Sequence, residues 1–132
     1  MTEQFQQTNI NQQRPARFVD QSNFDVVVAG TDMVSLGTDA TFILLGEVPG
    51  PFAPYNVLLP NVQTVEGFFF YFRNASSVTV TLNAQAGQQI NGNPTLDILF
   101  SEVAIIVSDP VNNNTTPPTL PIGWTLIKNG AA

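Results

Sequence analysis

A chain of 132 residues holds one domain with at most a short appendage, and its hydrophobic content of 43%, with 10 Phe, is enough for an independent core. Charged residues make up only 11%, against roughly 25% in ordinary soluble domains, so the surface must be wetted by Asn, Gln, Thr and Ser or covered by other chains. With no Cys and no His, disulfides, Cys/His zinc sites and catalysis through a thiol or an imidazole are excluded.

The net charge of −6 is unevenly placed. Residues 1–23 set Glu3 and Asp20 against Arg14 and Arg17 and are neutral. The remainder sets Asp25, Asp32, Asp39, Glu47, Glu66, Asp97, Glu102 and Asp109 against Arg73 and Lys128 alone. An acidic body without clustered Lys and Arg argues against a phosphate backbone or an anionic bilayer as partner, so neither nucleic acid nor membrane is expected. The first residues lack the apolar stretch of a signal peptide. The longest apolar runs, Gly67–Phe72 and Val103–Val107, fall far short of the roughly 20 residues that cross a bilayer.

In chain order, residues 1–23 stand apart. Gln4, Gln6, Gln7, Gln12, Gln13 and Gln21 dominate, Phe5, Ile10 and Phe18 follow no period, and Pro15 interrupts. Such a segment buries too little apolar surface to fold alone. It reads either as a disordered tail or as an extended arm held by a neighbouring subunit, with Phe5, Ile10, Arg14, Arg17 and Phe18 as its assembly residues. From Phe24 onward short apolar runs alternate with turn residues. Phe24–Ala29, Met33–Leu36 and Thr41–Leu45 are the first predicted strands, closed by Gly30, Gly37 and Gly46. Gly46–Pro54 carries Pro49, Pro51 and Pro54 and is a loop. Tyr55–Leu59 follows, and Pro60 at its end marks it as an edge strand.

Gly67–Arg73 is apolar on both faces, with Phe68, Phe70 and Phe72 pointing one way and Phe69 and Tyr71 the other. A strand of this kind is central in a two-layer stack or pressed against another subunit, so Phe69 and Tyr71 are interface or core. Asn74–Ser76 makes a turn, and Ser77–Leu82 then alternates strictly, which predicts a hairpin with the aromatic strand. Gln88–Ile90, Leu96–Phe100, Val103–Val107 and Gly123–Ile127 are the remaining strands, with a polar Asn/Thr/Pro loop over Asp109–Pro121. No window of helical length shows a helical period. The expected fold is all-β, a β-sandwich, jelly-roll-like domain or small barrel over residues 24–132 behind an extended N-terminal arm.

Four segments, Tyr55–Pro60, Val65–Asn74, Ser77–Leu82 and Gly87–Gly92, follow one another as an extended strand ending in Leu-Pro, an aromatic strand ending in Asn, an alternating Val/Thr strand and a Gly-bracketed turn. A final Gly123–Ile127 element carries Gly-Trp. This order and spacing resembles a β-rich module of bacteriophage and large-DNA-virus fibre, spike and capsid-decoration proteins. The likeness covers about a third of the chain closely. The N-terminal arm and the Gly46–Pro54 loop lie outside it. The resemblance implies a homotrimer placed on a virion, in contact with other capsid proteins.

Chemistry beyond assembly has little to draw on. A Ser-Lys pair would need Lys128, next to the chain end. Asp20 with Asp25, or Asp32 with Asp39, offer oxygen ligands for Ca²⁺ but without a recognisable loop spacing, and Glu47, Glu66, Asp97 and Glu102 are the carboxylates a glycosidase would need. Surface acids beside turns explain all of them more simply, so no enzyme, metal or cofactor is expected. Phe52 and Tyr55, in or beside the proline-rich loop, are candidates for stacking on a host glycan. Trp124 alternates within a strand and reads as core. Asn74-Ala-Ser and Asn113-Asn-Thr match glycosylation acceptors and read as ordinary turns. The leading expectation is a virion structural protein that docks through its arm; a receptor-binding spike tip and a non-catalytic carbohydrate-binding module are the alternatives.

Overall fold

The computed structural model describes residues 16–28, 31–48, 53–109 and 123–131. They form strands β1 (Arg17–Val19), β2 (Val26–Val28), β3 (Thr31–Ser35), β4 (Phe42–Leu45), β5 (Tyr55–Leu58), β6 (Phe69–Asn74), β7 (Val80–Asn83), β8 (Gln89–Ile90), β9 (Thr95–Ile98), β10 (Glu102–Asp109) and β11 (Gly123–Ala131). Two short 3-10 turns, Gln21–Asn23 and Val62–Thr64, are the helical elements among the described residues. The chain is all-β. Phe5, Ile10, Arg14, Phe52 and Asn113 lie outside the described residues.

The strands build two mixed sheets, a six-stranded one in the order β1-β4-β6-β10-β11-β8 and a five-stranded one in the order β2-β3-β5-β7-β9. From β4 to β10 each strand lies in the opposite sheet from the one before it. Strands two apart therefore return to the same sheet, and β4/β6, β3/β5 and β5/β7 pair in parallel. Parallel neighbours need a long crossover; here a strand of the other sheet supplies it. The chain then reverses, and β6/β10, β10/β11 and β7/β9 are antiparallel.

This winding overturns two expectations. Ser77–Leu82 is not the hairpin partner of the aromatic strand. The strand that forms there, β7, lies between β5 and β9 in the five-stranded sheet, whereas β6 lies between β4 and β10. Nor is Tyr55–Leu59 an edge: β5 is the middle strand of its sheet, and Pro60 falls beyond its last ladder residue. A third difference concerns the expected arm. Arg17–Val19 pairs in parallel with β4, and Val19 is fully buried in the common core, because its valine fills the rim beside Leu45.

Inward side chains of both sheets share one hydrophobic cluster. Ile43, Leu45, Phe70, Phe72, Ile106 and Trp124 come from the six-stranded sheet, and Val34, Val57, Val80, Leu82 and Ile98 from the other. The Phe70 ring sits among Phe68, Phe72 and Trp124, with centroids at 5.0, 5.3 and 5.6 Å. Burying each such side chain stabilises the fold by about 1.5–3 kcal/mol. At the rim, β11 approaches β8 so closely that a Cβ on Gly123 would fall on the Gln89 backbone.

The departure from β6 toward β7 is held by a buried amide. Asn74 Nδ2 donates to the carbonyls of Val78 at 2.7 Å and Ile98 at 2.8 Å, and Oδ1 accepts from Ser76 N at 2.9 Å and Ser76 Oγ at 2.6 Å. Asn74→Ala removes both donors and leaves two carbonyls without them. We expect unfolding free energy to fall by about 2–4 kcal/mol in urea titration; a loss below about 1 kcal/mol would show that the corner does not depend on this amide.

Candidate interaction face

Residues of β4, β6, β10 and β11 that do not enter the core stand together on the opposite side of the six-stranded sheet. Strand register aligns them in rows. Phe42 pairs with Tyr71, Tyr71 with Ile105 and Ile105 with Lys128; Phe69 pairs with Val107 and Val107 with Thr125; Phe18 pairs with Leu44, Leu44 with Arg73 and Arg73 with Val103. Phe42 and Tyr71 stack at 5.0 Å between centroids, 16° from parallel, an offset arrangement that fixes both rings on the face. Phe18, Phe42 and Phe69 remain 56%, 38% and 50% exposed. Phe18 lies over the backbone of Gly46, where an added Cβ would run into its ring. The result is a largely apolar face that also carries Arg73, between Leu44 and Val103, Lys128 beside Ile105, and Asp109 at the end of β10.

The outer side of the five-stranded sheet is its opposite in chemistry. Its rows read Met33, Asn56, Thr81, Asp97 and Ser35, Leu58, Asn83, Thr95. Asn83 Nδ2 donates to Asn56 Oδ1 at 3.1 Å and Thr81 Oγ1 to Asp97 Oδ1 at 2.7 Å. That face is wetted by its own amides and hydroxyls, as an antiparallel sheet facing solvent would be. The apolar face has fewer such groups, the hydroxyls of Tyr71 and Thr125 and the charged ends of Arg73, Lys128 and Asp109.

The residues singled out from sequence divide sharply. Phe69 and Tyr71 point away from the core, as their alternation with Phe70 and Phe72 predicts. Phe18 joins them, while Arg17 is half-buried and lies 4.0 Å from Asp39. Sequence reasoning missed Phe42, Ile105 and Val107. The signal was present, since Thr41–Leu45 and Val103–Val107 are apolar at successive positions and so on both faces, like the aromatic strand.

Tyr55 does not offer a ring to a sugar, which corrects the glycan expectation at this position. It is 3% exposed, because the first residue of a central strand faces the core. Its hydroxyl donates to the Gly46 carbonyl at 2.8 Å, with the Val19 carbonyl at 3.2 Å, and so ties the five-stranded sheet to the rim of the six-stranded one. Trp124 is likewise buried, and its indole N–H has no acceptor among the described residues. Asn74 is fully buried, which removes it as a glycosylation acceptor.

Four of the carboxylates weighed for chemistry, Glu47, Glu102, Asp25 and Asp20, act as caps and braces. Glu47 accepts from the backbone N–H and hydroxyl of Ser77 at 3.1 and 2.7 Å. Glu102 accepts from Leu99 N at 3.1 Å, Asp25 from Ser35 N at 2.8 Å and Asp20 from Ser22 N at 2.8 Å. Among the described residues no group of three or more potential ligands converges to hold a metal. Comparison with known proteins adds no identity: neither a protein-family model nor a curated protein matches the chain.

Burial pushes the Tyr55 phenol well above its ordinary value near 10, and the charges of Asp20 and Glu47 add to the rise. The folded state therefore keeps its proton at pH values where the unfolded chain loses it. Below about pH 10 Tyr55 contributes a constant stability; above it that contribution is progressively lost. Urea midpoints measured upward from about pH 9 should fall more steeply in wild type than in Tyr55→Phe. Equal alkaline slopes would contradict the burial of a neutral phenol.

Proposed function

We propose that this chain is a non-enzymatic structural protein that assembles by burying the outer face of its six-stranded sheet, and that its place is on a virus particle. The observation that carries the assembly reading is the aligned apolar face of Phe18, Phe42, Phe69, Tyr71, Ile105 and Val107. Exposed contiguous apolar patches of this kind mark interaction sites in soluble proteins. The low charge content supports the same reading, since a chain with 11% charged residues has few groups to keep such a face in water. The placement on a virion, the homotrimeric state and the contact with other capsid proteins rest on the resemblance over Tyr55–Gly92, the segment that forms β5 to β8.

The finer architecture belongs to the same proposal. Two sheets that contribute inward side chains to one cluster fit a β-sandwich. Parallel pairs such as β4/β6 and β5/β7 distinguish it from a jelly roll built of antiparallel strands. Burial of Tyr55 takes away one of the two residues proposed for glycan contact, so recognition of a host sugar gains no support from the described residues.

Sedimentation velocity over the micromolar range tests the assembly reading. Wild type should shift to a larger species as concentration rises, and Tyr71→Lys should weaken that association at least tenfold while leaving the far-ultraviolet circular dichroism spectrum unchanged. A wild-type monomer throughout would count decisively against it. The virion placement is tested separately by immunogold labelling of purified particles from the producing host, where labelled particle surfaces are expected and unlabelled particles would contradict it.

A further inference from the structure

A second apolar surface lies outside the sheet face, where β9 passes to β10. Leu99 and Phe100 are 49% and 63% exposed at the tip of this turn. Two adjacent large hydrophobic side chains on a turn are unusual, because turns normally carry polar residues that water can reach. Here the turn is also braced. Ser101 adopts the left-handed conformation with φ 71°, its N–H donates to the Asn74 carbonyl at 2.9 Å, and Glu102 N donates to the Leu99 carbonyl at 3.0 Å. The Glu102 carboxylate reaches back to accept from Leu99 N at 3.1 Å. Both rims of the tip are acidic, Asp97 before it and Glu102 after it.

We infer that the Leu99–Phe100 tip of one copy docks on the outer face of the six-stranded sheet of a second copy. The inference rests on the self-association proposed above and specifies how it is made. Complementarity of charge selects this occupant. The face carries Arg73 and Lys128 against one acid among the described residues, Asp109 at the end of β10, while the tip is flanked by Asp97 and Glu102. Two faces meeting across a two-fold axis would instead set four cations against two acids and leave both acidic tips uncovered. Contact between unlike surfaces is heterologous, so it leads to a closed ring or an open chain.

Area sets the strength. At about 200 Å² per aromatic residue, Phe18, Phe42 and Phe69 leave roughly 300 Å² of the face open, and the tip adds roughly 200 Å². A standard interface buries about 800 Å² on each side, a little over half of it apolar. One tip-to-face contact is therefore weaker than a stable dimer and depends on concentration. Preorganisation offsets part of the cost, because the bracing already fixes the turn.

The test uses the full chain and two variants, Phe100→Lys on the tip and Phe69→Thr on the face, each checked for an unchanged thermal midpoint. Each alone should weaken self-association about 30-fold or more in Kd. Mixed in equal amounts they should form 1:1 pairs, since one copy keeps an intact tip and the other an intact face. Association that survives Phe100→Lys but not Phe69→Thr overturns the tip-to-face contact and leaves the assembly reading standing. Variants that stay monomeric when mixed also overturn it. A wild-type chain that remains monomeric overturns both.

Discussion

The side-chain amide of Asn74 is fully buried and uses both of its N–H groups and its carbonyl oxygen. Its partners belong to the corner that follows β6 and to the end of β9, so one residue of the six-stranded sheet fixes where the chain enters the five-stranded one. A buried amide without partners would cost more than the corner could supply. With all of them made, the same group specifies a single path for the chain. The Asn74 backbone carbonyl extends the network by accepting from Ser101, which braces the turn carrying Leu99 and Phe100. The corner therefore sets both the topology and the presentation of an exposed apolar tip.

Alternation between sheets has a consequence for the two outer surfaces. Parallel neighbours are brought together by strands that cross through the other sheet, so β4, β6 and β10 meet although they are far apart in sequence. Each is apolar at successive positions, and each must send half of its side chains outward. Three such strands side by side turn a tolerable excess of hydrophobic residues into one face. The five-stranded sheet avoids this because β5 and β7 place Asn56, Thr81 and Asn83 outward. Packing energy in the core and an unsatisfied outer face thus have the same origin, the two-sided apolar strands.

Most strands could be read from the sequence, since period-two alternation and Gly or Pro punctuation are local signals. Phe69 to Phe72 showed both its buried and its exposed side. What could not be read was which strand lies beside which. Val78, Val80 and Leu82 alternate in the same way whether β7 pairs with β6 or with β5, and a short turn at Asn74–Ser76 suggests a hairpin. What rules out a hairpin is the Asn74 amide reaching Ile98, a contact across 24 positions that no local pattern encodes. Tyr55 failed for a related reason. Next to a proline-rich loop it looked exposed, but as the start of a central strand its hydroxyl reaches the Gly46 and Val19 carbonyls, the latter in a segment expected to lie outside the domain.

Assembly of this chain requires that the face of the six-stranded sheet be covered by another copy. Hydroxyl-radical footprinting read by mass spectrometry, repeated as concentration is raised, measures this directly and side chain by side chain. Phe42, Phe69 and Tyr71 should lose reactivity with concentration while Met33, on the outer side of the other sheet, keeps it. Undiminished reactivity of those three rings at the highest concentration, or equal loss at Met33, would contradict it.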